Sequence, residues 1–285
     1  MLHRRQFLHA WLSAAAVAGT QPGAVGQRPV RKFGHRQANM VSEPGPSVFD
    51  LARQIHGLSG VELQVHYKGT MLWDRDTLLS YQQAAKRTGL LIPSLAGIWP
   101  PGASILQPTA EEHLLKAIRA AESLHATTIL AACFEQNCPK MDQEQSYGPV
   151  VAVLQKVSGA ARDAGVIVGM ETSLAPADDS KLIDLVDRPE VRVYYDLDNV
   201  ERYGHTNQAV PGIAKLGNRI RQVHLKNEDR LLEQPGRVNW ADAIKGLAAI
   251  GYPGWFVFET SHSGPQQCVE ATEKNIAFVT RHFTS

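Results

Sequence analysis

Residues 166–199 read VIVGMETSLAPADDSKLIDLVDRPEVRVYYDLDN, and the fold class can be predicted from this segment. Two short apolar runs, at residues 166–171 and 191–196, each end in an acidic residue, and residues 180–186 between them repeat apolar side chains with helical spacing. A strand, a helix and a second strand in this order predict a βαβ unit, in which the two strands are parallel. Repetition of such a unit builds a parallel sheet covered by helices.

The same alternation continues along most of the chain. Apolar runs predict eight strands, at residues 30–35, 61–66, 90–95, 127–133, 166–171, 191–196, 220–225 and 255–259. Amphipathic segments predict helices at residues 47–56, 76–87, 110–124, 147–164, 180–186, 207–216, 240–250 and 269–283. Eight βα repeats in about 260 residues predict an α/β protein with a single-domain (β/α)8 TIM barrel. A doubly wound open sheet is the alternative, but the segment Phe33-Gly34-His35 lacks the glycine-rich loop that such sheets carry after their first strand.

Composition excludes several classes of protein. The 285 residues include 29 basic and 28 acidic side chains, for a formal net charge of +1. Such a balance argues against a nucleic-acid partner, because those proteins use clustered Lys and Arg to neutralise phosphates. Three cysteines, Cys133, Cys138 and Cys268, are too few for a disulfide scaffold, and no pair of CxxC elements indicates a zinc module.

The first 26 residues, MLHRRQFLHAWLSAAAVAGTQPGAVG, have the layout of a signal peptide. Arg4 and Arg5 precede an apolar run that is shorter than the roughly 20 residues needed to span a bilayer, so no stable membrane span is expected. The segment RRQFL resembles a twin-arginine motif, which predicts export of the folded barrel, residues 27–285, to the periplasm. An amphipathic helix with two chance arginines is the alternative. Export would expose Cys133 and Cys138 to oxidising conditions, and both a disulfide and free thiols remain open.

Four strand ends carry groups that bind metals. The predicted strands 5, 6 and 8 end at Glu171, Asp196 and Glu259, and strand 7 carries His224. The carboxyl ends of barrel strands open onto the active site, so these side chains should converge there. Three carboxylates and an imidazole gathered at one mouth would repel one another unless a cation joined them. Their oxygen-rich chemistry favours Mn²⁺ or Mg²⁺, with Co²⁺ or Zn²⁺ also compatible.

Each of these residues alone has a structural alternative. Asp196 could cap a helix, the glutamates could form salt bridges, and His224 could be a buried histidine with satisfied hydrogen bonds. Their joint placement on four successive strands favours the metal site.

Several motifs resemble the xylose-isomerase-like barrel superfamily. They are GME at 169–171, YYDLDN at 194–199, VHLKN at 223–227, and GYPG at 251–254 followed by FE at 258–259, with supporting stretches GVEL at 60–63 and GRVNW at 236–240. The resemblance covers about residues 28–283 and is specifically to the sugar phosphate isomerase/epimerase and ketose 3-epimerase branch.

The resemblance implies the site's chemistry. Glu171, Asp196, His224 and Glu259 are the expected metal ligands, with Glu171 and Glu259 doubling as an acid/base pair, and Arg230 is expected to steady substrate oxygens or a ligating carboxylate. The implied reaction is divalent-metal-dependent isomerisation or epimerisation of a sugar through an enediolate, which makes the protein an enzyme of the isomerase class. Carboxylates on two sides of a substrate can remove a proton from one face and return it to the other.

Five further residues are predicted to contact the substrate: His35, His66, Trp99, Asn199 and Lys226. For Trp99 a packed turn with the following prolines is an equal alternative, and for Lys226 a rim salt bridge. Asn199 occupies a position where several ketose 3-epimerases have histidine, and no glutamate follows Glu171 within a turn. These departures argue against free-ketose 3-epimerisation as the specific reaction.

Three other functions compete with the isomerase. The first is a metal-dependent lyase or epimerase on keto-sugars or keto-glycosides, which uses the same residues. The second is a non-catalytic periplasmic sugar-binding barrel, although all four ligands are retained. The third, an apurinic endonuclease, is disfavoured because it needs additional histidines. The oligomeric state is open, and a homodimer is one arrangement that such barrels adopt.

Overall fold

Eight parallel strands close into a barrel. A computed structural model describes residues 31–283. The strands are β1 (Lys32–Arg36), β2 (Gly60–Gln64), β3 (His66–Tyr67), β4 (Thr70–Met71), β5 (Leu95–Ala96), β6 (Thr128–Cys133), β7 (Ile167–Thr172), β8 (Val191–Asp196), β9 (Ile220–Leu225) and β10 (Trp255–Phe258). β3 and β4 form a separate antiparallel hairpin, and the other eight strands form the closed barrel.

Helices lie between the barrel strands. They are α1 (Gln37–Met40), α2 (Val48–Ala52), α3 (Arg75–Thr88), α4 (Ala110–Ser123), α5 (Glu144–Asp163), α6 (Pro176–Val186), α7 (Leu197–Arg202), α8 (Ala209–Leu216), α9 (Trp240–Ala249) and α10 (Pro265–Phe283). The predicted single-domain (β/α)8 barrel is therefore confirmed. Within residues 31–283, no helix combines the length and the apolar character of a membrane span. The predicted signal peptide lies outside the described residues.

Two predicted strands differ from the observed ones. The third was expected at residues 90–95, but Leu91 forms only an isolated bridge with Gly60, and regular pairing begins at Leu95. Pro93 lies between them and has no N–H to donate to a ladder. The second was expected to reach His66, but β2 ends at Gln64 and His66 begins the hairpin.

Alternate side chains separate the barrel interior from the helix-facing layer. On β10, Phe256 and Phe258 point to the helix side, as the period of two predicts, and both rings lie about 6 Å from that of Phe33 on β1. Phe256 also packs edge-on against Phe283 of α10, with 5.5 Å between ring centroids. The interior face carries Glu62, Tyr194 and His224, all buried. The aromatic side chains thus pack between the strands and the helices, and the polar side chains on the other face of the strands fill the barrel interior.

Candidate metal centre

Glu171, Asp196, His224 and Glu259 come together at the carboxyl ends of β7 to β10. One ligand atom from each lies within 4.8 Å of the others, and all except the half-buried Glu259 are buried. We call this group the mouth cluster. The four strands are neighbours in the barrel, which explains how residues up to 88 positions apart in sequence meet. Three carboxylates and one imidazole nitrogen form a donor set that suits a hard divalent cation.

A register shift brings Asp196 and His224 to the same level. β8 and β9 pair Val193 with Ile220 but Tyr194 with Gln222, so one residue of β9 is skipped. From that point on the pairing aligns Asp196 with His224. Without the extra residue, Asp196 would lie opposite Val223, whose side chain faces the helices.

Asp196 has two roles, one for each oxygen. Its Oδ1 accepts a hydrogen bond from the backbone N–H of Asn199 at 3.0 Å, which caps the first turn of α7. Its Oδ2 is buried, faces His224 Nδ1 at 3.8 Å, and forms an ion pair with Lys226 Nζ at 2.7 Å. The helix-cap alternative and the cluster role are therefore compatible, because the cap uses Oδ1 and leaves Oδ2 facing the cluster.

His224 lies between carboxylates on both sides of its ring. Nδ1 is 3.3 Å from Glu171 Oε1 and 3.4 Å from Glu259 Oε2, and Nε2 is 3.0 Å from Glu62 Oε1. Burial disfavours the charged ring, but the charges of Glu62 and Glu171 outweigh it and raise the pKa of His224 to about 9. Burial likewise opposes ionisation of Glu171. The charge and the hydrogen bond of His224 outweigh burial and lower the pKa of Glu171 to about 2.

A polar network inside the barrel holds Glu62 in place. Glu62 Oε2 accepts hydrogen bonds from Ser94 Oγ at 2.6 Å and from Tyr194 Oη at 2.5 Å. Gln222 Nε2 in turn donates to Ser94 Oγ at 2.7 Å and Tyr194 Oη at 2.8 Å. All of these side chains are buried. A carboxylate that binds the far nitrogen of a metal-facing histidine fixes its ring orientation.

Two cationic side chains touch the mouth cluster. Lys226 Nζ is 2.7 Å from Asp196 Oδ2 and 2.9 Å from Glu259 Oε2. Arg36, at the end of β1, contacts Glu259 Oε1 through Nη1 and lies 3.7 Å from Glu62 through Nε. Lys226 was predicted here as a substrate contact. Arg36 was not predicted, although a basic residue just beyond the expected first strand was its signal.

The charge balance of these groups fits a divalent cation. Glu62 and the three acids of the mouth cluster supply four carboxylates, against the two cations Arg36 and Lys226. With neutral His224, two negative charges remain in a largely buried space. The raised pKa of His224 reflects this demand for positive charge. A bound divalent ion would satisfy it, and Asp196 Oδ2, which Lys226 Nζ contacts at 2.7 Å, faces the cluster as a further carboxylate oxygen for the ion.

The structure also brings Asn199 to the cluster. Its Nδ2 donates to Glu171 Oε1 at 2.9 Å, and its Oδ1 accepts from Lys226 Nζ at 3.0 Å. Asn199 therefore links an acid on β7 to the lysine that follows β9. Its side chain orients both groups, whether or not it also contacts a substrate.

Four other predicted residues lie apart from the mouth cluster. Arg230 is exposed and donates to Glu228 Oε2 and to the carbonyl of Pro235, both at 2.8 Å. His35 is fully buried on the helix-facing side of β1, against Phe258. His66 and Trp99 are half-buried and follow β2 and β5, on the side where the barrel opens. The expectation that these residues contact a substrate stays a prediction.

Trp99 and His66 both pack against aromatic neighbours. Trp99 Nε1 donates to the carbonyl of Ala132 at 2.7 Å, and its ring meets that of His113 edge-on. His66 packs edge-on against Trp73 with 4.4 Å between ring centroids, and its Nε2 has no hydrogen-bond partner among the described residues. We call His66, Trp73 and Trp99 the aromatic wall, since His66 and Trp99 follow β2 and β5 at the end where the barrel opens.

The protein is thus a (β/α)8 barrel, and the carboxylates and the histidine at its mouth form a candidate divalent-metal centre. Residues 49–282 match the family of xylose isomerase-like TIM barrels. The chain belongs to that family. No curated protein matches its sequence significantly.

Solved structures share the fold at low sequence identity. A D-allulose 3-epimerase from Methylomonas sp. is 16% identical, with a TM-score of 0.73 and coverage of 88% of this chain and 97% of that one. A 3-keto-D-glucoside 4-epimerase from E. coli is 15% identical, with a TM-score of 0.71 and coverage of 88% and 99%. A xylose isomerase-like TIM barrel protein from Mycobacterium smegmatis in complex with magnesium is 18% identical, with a TM-score of 0.68 and coverage of 89% and 98%.

Proposed function

We propose that the protein is a divalent-metal-dependent isomerase or epimerase that acts on a sugar or keto-sugar. The observation that carries the proposal is the mouth cluster itself, in which ligand atoms of Glu171, Asp196, His224 and Glu259 lie within 4.8 Å of one another. The family membership and the epimerases among the structural neighbours support the reaction class. The four residues would hold the ion, with His224 contributing Nδ1.

When bound, a divalent cation supplies positive charge that polarises a carbonyl and stabilises an enediolate. Glu171 and Glu259 then act as the acid/base pair. They approach His224 Nδ1 from β7 and β10, the outer two of the four strands, at 3.3 and 3.4 Å. With the substrate bound between the two groups, a proton taken by one carboxylate and returned by the other would invert a stereocentre.

The neighbours of these acids support that role. Without an ion the charge on His224 lowers the pKa of Glu171 to about 2 and keeps its carboxyl ionised, and a bound cation would take the place of that charge. Asn199 donates to its Oε1, which fixes the direction from which the proton is taken. Glu259 is held between Arg36 and Lys226, whose charges can stabilise negative charge on substrate oxygens. The hydrogen bonds thus preorganise both carboxylates before substrate binds.

The test uses metal-stripped protein reloaded with Mn²⁺ or Mg²⁺ and a panel of ketoses, aldoses and 3-keto-glycosides in D₂O. We expect metal-dependent conversion of at least one compound, with deuterium at the carbon that changes. Glu171→Gln and Glu259→Gln should each lower kcat about 10²–10⁴-fold, the usual contribution of a general acid or base. Glu228→Gln, which alters an exposed carboxylate, is the matched control and should stay within about twofold.

Two outcomes would contradict the proposal. If every compound binds but none is converted, with stoichiometric Mn²⁺ bound, the barrel is a sugar-binding protein. If the Glu171→Gln and Glu259→Gln variants convert a substrate at the wild-type rate, the acid/base assignment is wrong.

Keto-glycosides form a second candidate substrate class. The aromatic wall of His66, Trp73 and Trp99 stands beside the barrel opening, and an aromatic face packs well against the apolar face of a sugar ring. A second sugar unit would use that wall, whereas a free monosaccharide bound at the mouth cluster would not need it. Trp99→Ala should therefore raise KM for glycosides at least tenfold more than for monosaccharides.

We further propose that residues 1–26 direct export by the twin-arginine route. The expected observation is processed protein in the periplasm of the producing bacterium, and loss of export when Arg4 and Arg5 are both changed to Lys. Processed periplasmic protein in the double variant would contradict this route.

A further inference from the structure

We propose that His35, His262 and Cys268 form a second metal site, of the nitrogen and sulfur type that suits Zn²⁺. We call these residues the outer cluster. One ligand atom from each lies within 4.8 Å of the others. They come from β1, the loop after β10, and the first turns of α10, so the site would join three separate elements. This inference is independent of the proposed sugar chemistry.

The spacing of the two histidines is that of ligands on one ion. His35 Nε2 and His262 Nε2 lie 3.2 Å apart, with the rings inclined at 60°. Two nitrogens bound to a tetrahedral Zn²⁺ at about 2.0–2.1 Å are roughly 3.3 Å apart. The N···N distance thus already matches shared coordination, and binding would require the rings to turn both lone pairs toward the ion and the Cys268 sulfur, within 4.8 Å of both nitrogens, to approach it. Cys268 is fully buried beside them and offers a sulfur, the ligand that distinguishes Zn²⁺ from Mg²⁺ or Mn²⁺.

The protonation pattern leaves a lone pair where the ion would bind. His35 Nδ1 is 3.3 Å from the carbonyl oxygen of Arg36, which can only accept, so Nδ1 carries the proton and Nε2 is bare. Burial and the neighbouring His262 lower the pKa of His35 to about 3, so its ring is neutral. Burial also lowers the pKa of His262, against the opposing charge of Asp229. Metal binding requires neutral imidazoles of this kind.

The competing explanation is a hydrogen bond between the two rings beside an inert buried thiol. In that case Nε2 of His262 donates to Nε2 of His35, and Cys268 only fills space. The two explanations differ in the protonation state of the Cys268 thiol. Burial raises the pKa of Cys268 to about 11, so without an ion it keeps its proton. On binding, Zn²⁺ takes the sulfur as a thiolate and one proton leaves to solvent, so the site gains one net positive charge.

The outer cluster would brace the strand ends that carry the mouth cluster. His35 immediately precedes Arg36, which contacts Glu259, and His262 lies three residues after Glu259. The half-buried ring of His262 provides a route for the ion from solvent. A second tether lies nearby, because Asn39 Nδ2 donates to Ser261 Oγ at 3.0 Å. The ion would therefore act as a structural clamp between β1 and the loop after β10.

The test uses the full chain without an affinity tag, reduced and stripped of metal, and titrated with Co²⁺ and then Zn²⁺. We expect a thiolate-to-cobalt charge-transfer band that disappears when Zn²⁺ displaces Co²⁺. Cys268→Ala and His262→Gln should each abolish the band and weaken Zn²⁺ binding at this site by at least about 100-fold. Losing a residue that only hydrogen-bonds a metal ligand already weakens binding by up to about that factor, and these variants lose a ligand itself. His224→Ala, which removes a mouth ligand, should keep the band.

Cys133→Ala is the matched cysteine control and should also keep the band, since its sulfur pairs with Cys138 and not with the outer cluster. If the band is missing from the wild-type chain, or survives in Cys268→Ala, the site does not exist. Should Cys268→Ala fail to fold, His262→Gln decides, because that side chain is only partly buried. Retention of the band and of Zn²⁺ affinity in His262→Gln would also overturn the proposal.

Discussion

Nε2 of His224 lies 3.0 Å from Oε1 of Glu62, on the opposite side of the ring from the mouth cluster. Glu171 and Glu259 face Nδ1 just as Glu62 faces Nε2, so without an ion both nitrogens carry protons, in line with the pKa of about 9. An ion at the mouth would displace the proton on Nδ1, and the carboxylate of Glu62 would keep the proton on Nε2. Ser94 and Tyr194 hold Glu62 in this orientation. Glu62 therefore selects the tautomer that a metal at the mouth would need.

Glu62→Gln should weaken binding of Mn²⁺ at the mouth by about 10–100-fold. The amide can turn its NH₂ toward His224 and favour the wrong tautomer, while the side-chain volume stays the same. The measurement is competition with a chelator, together with activity at rising Mn²⁺. Excess metal should restore much of the activity, which a misfolded barrel would not show. Unchanged affinity, with Glu228→Gln as the exposed control, would remove Glu62 from the metal centre.

Arg36 and Arg230 can be separated by paired substitutions. Arg36 contacts Glu259, whereas Arg230 is exposed and pairs with Glu228. We expect Arg36→Gln to lower kcat/KM about 10²–10³-fold, the cost of losing one charge-stabilising donor in an active site. Arg230→Gln should change it less than about threefold. The reverse result would support the role that the sequence resemblance implies for Arg230, and the loop after β9 would then have to move inward when substrate binds.

The fold was predictable because its signal is repeated. Each strand is a short apolar run, and the closed barrel follows from eight such runs alternating with amphipathic helices. The weakest element was β5, where Pro93 interrupts the pairing between Leu91 and Leu95. Periodicity alone does not detect such an interruption, since a proline leaves the apolar run intact.

The site residues at the ends of strands could be predicted from the sequence, whereas those deeper inside the barrel could not be assigned a partner. Glu171, Asp196 and Glu259 follow apolar runs, so the sequence predicts that their side chains meet at the barrel mouth, as they do. Glu62 is a charged residue within the strand sequence GVELQ, which signals burial but not its partner His224, 162 residues away. The register shift between β8 and β9 also has no sequence signal, and it decides which residue faces Asp196.

Asp179 should make the stability of the barrel depend on pH. Its carboxyl is buried and accepts a 2.6 Å hydrogen bond from Thr172, and burial raises its pKa from 3.8 to about 8 despite that bond. Between these two pH values the folded chain keeps a proton that the unfolded chain has released. The contribution of Asp179 to stability is therefore full below pH 3.8 and falls as the pH rises toward 8.

Asp179→Asn removes this titration while preserving an acceptor for Thr172. We expect the free energy of unfolding of the wild type, relative to the variant, to fall by about 1.4 kcal/mol per pH unit within that window. Urea denaturation at several pH values measures it. Asp184→Asn, at an exposed carboxylate paired with Arg219, should show no such slope. A pH-independent difference for Asp179→Asn would mean that Asp179 is ionised in the folded state.

Cys133 and Cys138 should form a disulfide under mild oxidation. Cys133 ends β6, and a single helical turn, Glu135–Asn137, brings the sulfur of Cys138 to 3.6 Å from that of Cys133. A hydrogen bond between the thiols raises the pKa of Cys133 and lowers that of Cys138, so Cys138 ionises first and is the attacking thiolate. Closure requires the sulfurs to approach to about 2.05 Å.

Treatment of the folded chain with diamide supplies the oxidant. The two thiols lose two protons and two electrons to the reagent as the S–S bond forms, and the intact mass falls by two hydrogen atoms. Cys138→Ser should abolish this loss, while Cys268→Ala should leave it unchanged. The bond closes a short loop and should stabilise the barrel by about 2 kcal/mol against unfolding. A chain that stays reduced in diamide would show that β6 holds the Cys133 sulfur out of reach of Cys138.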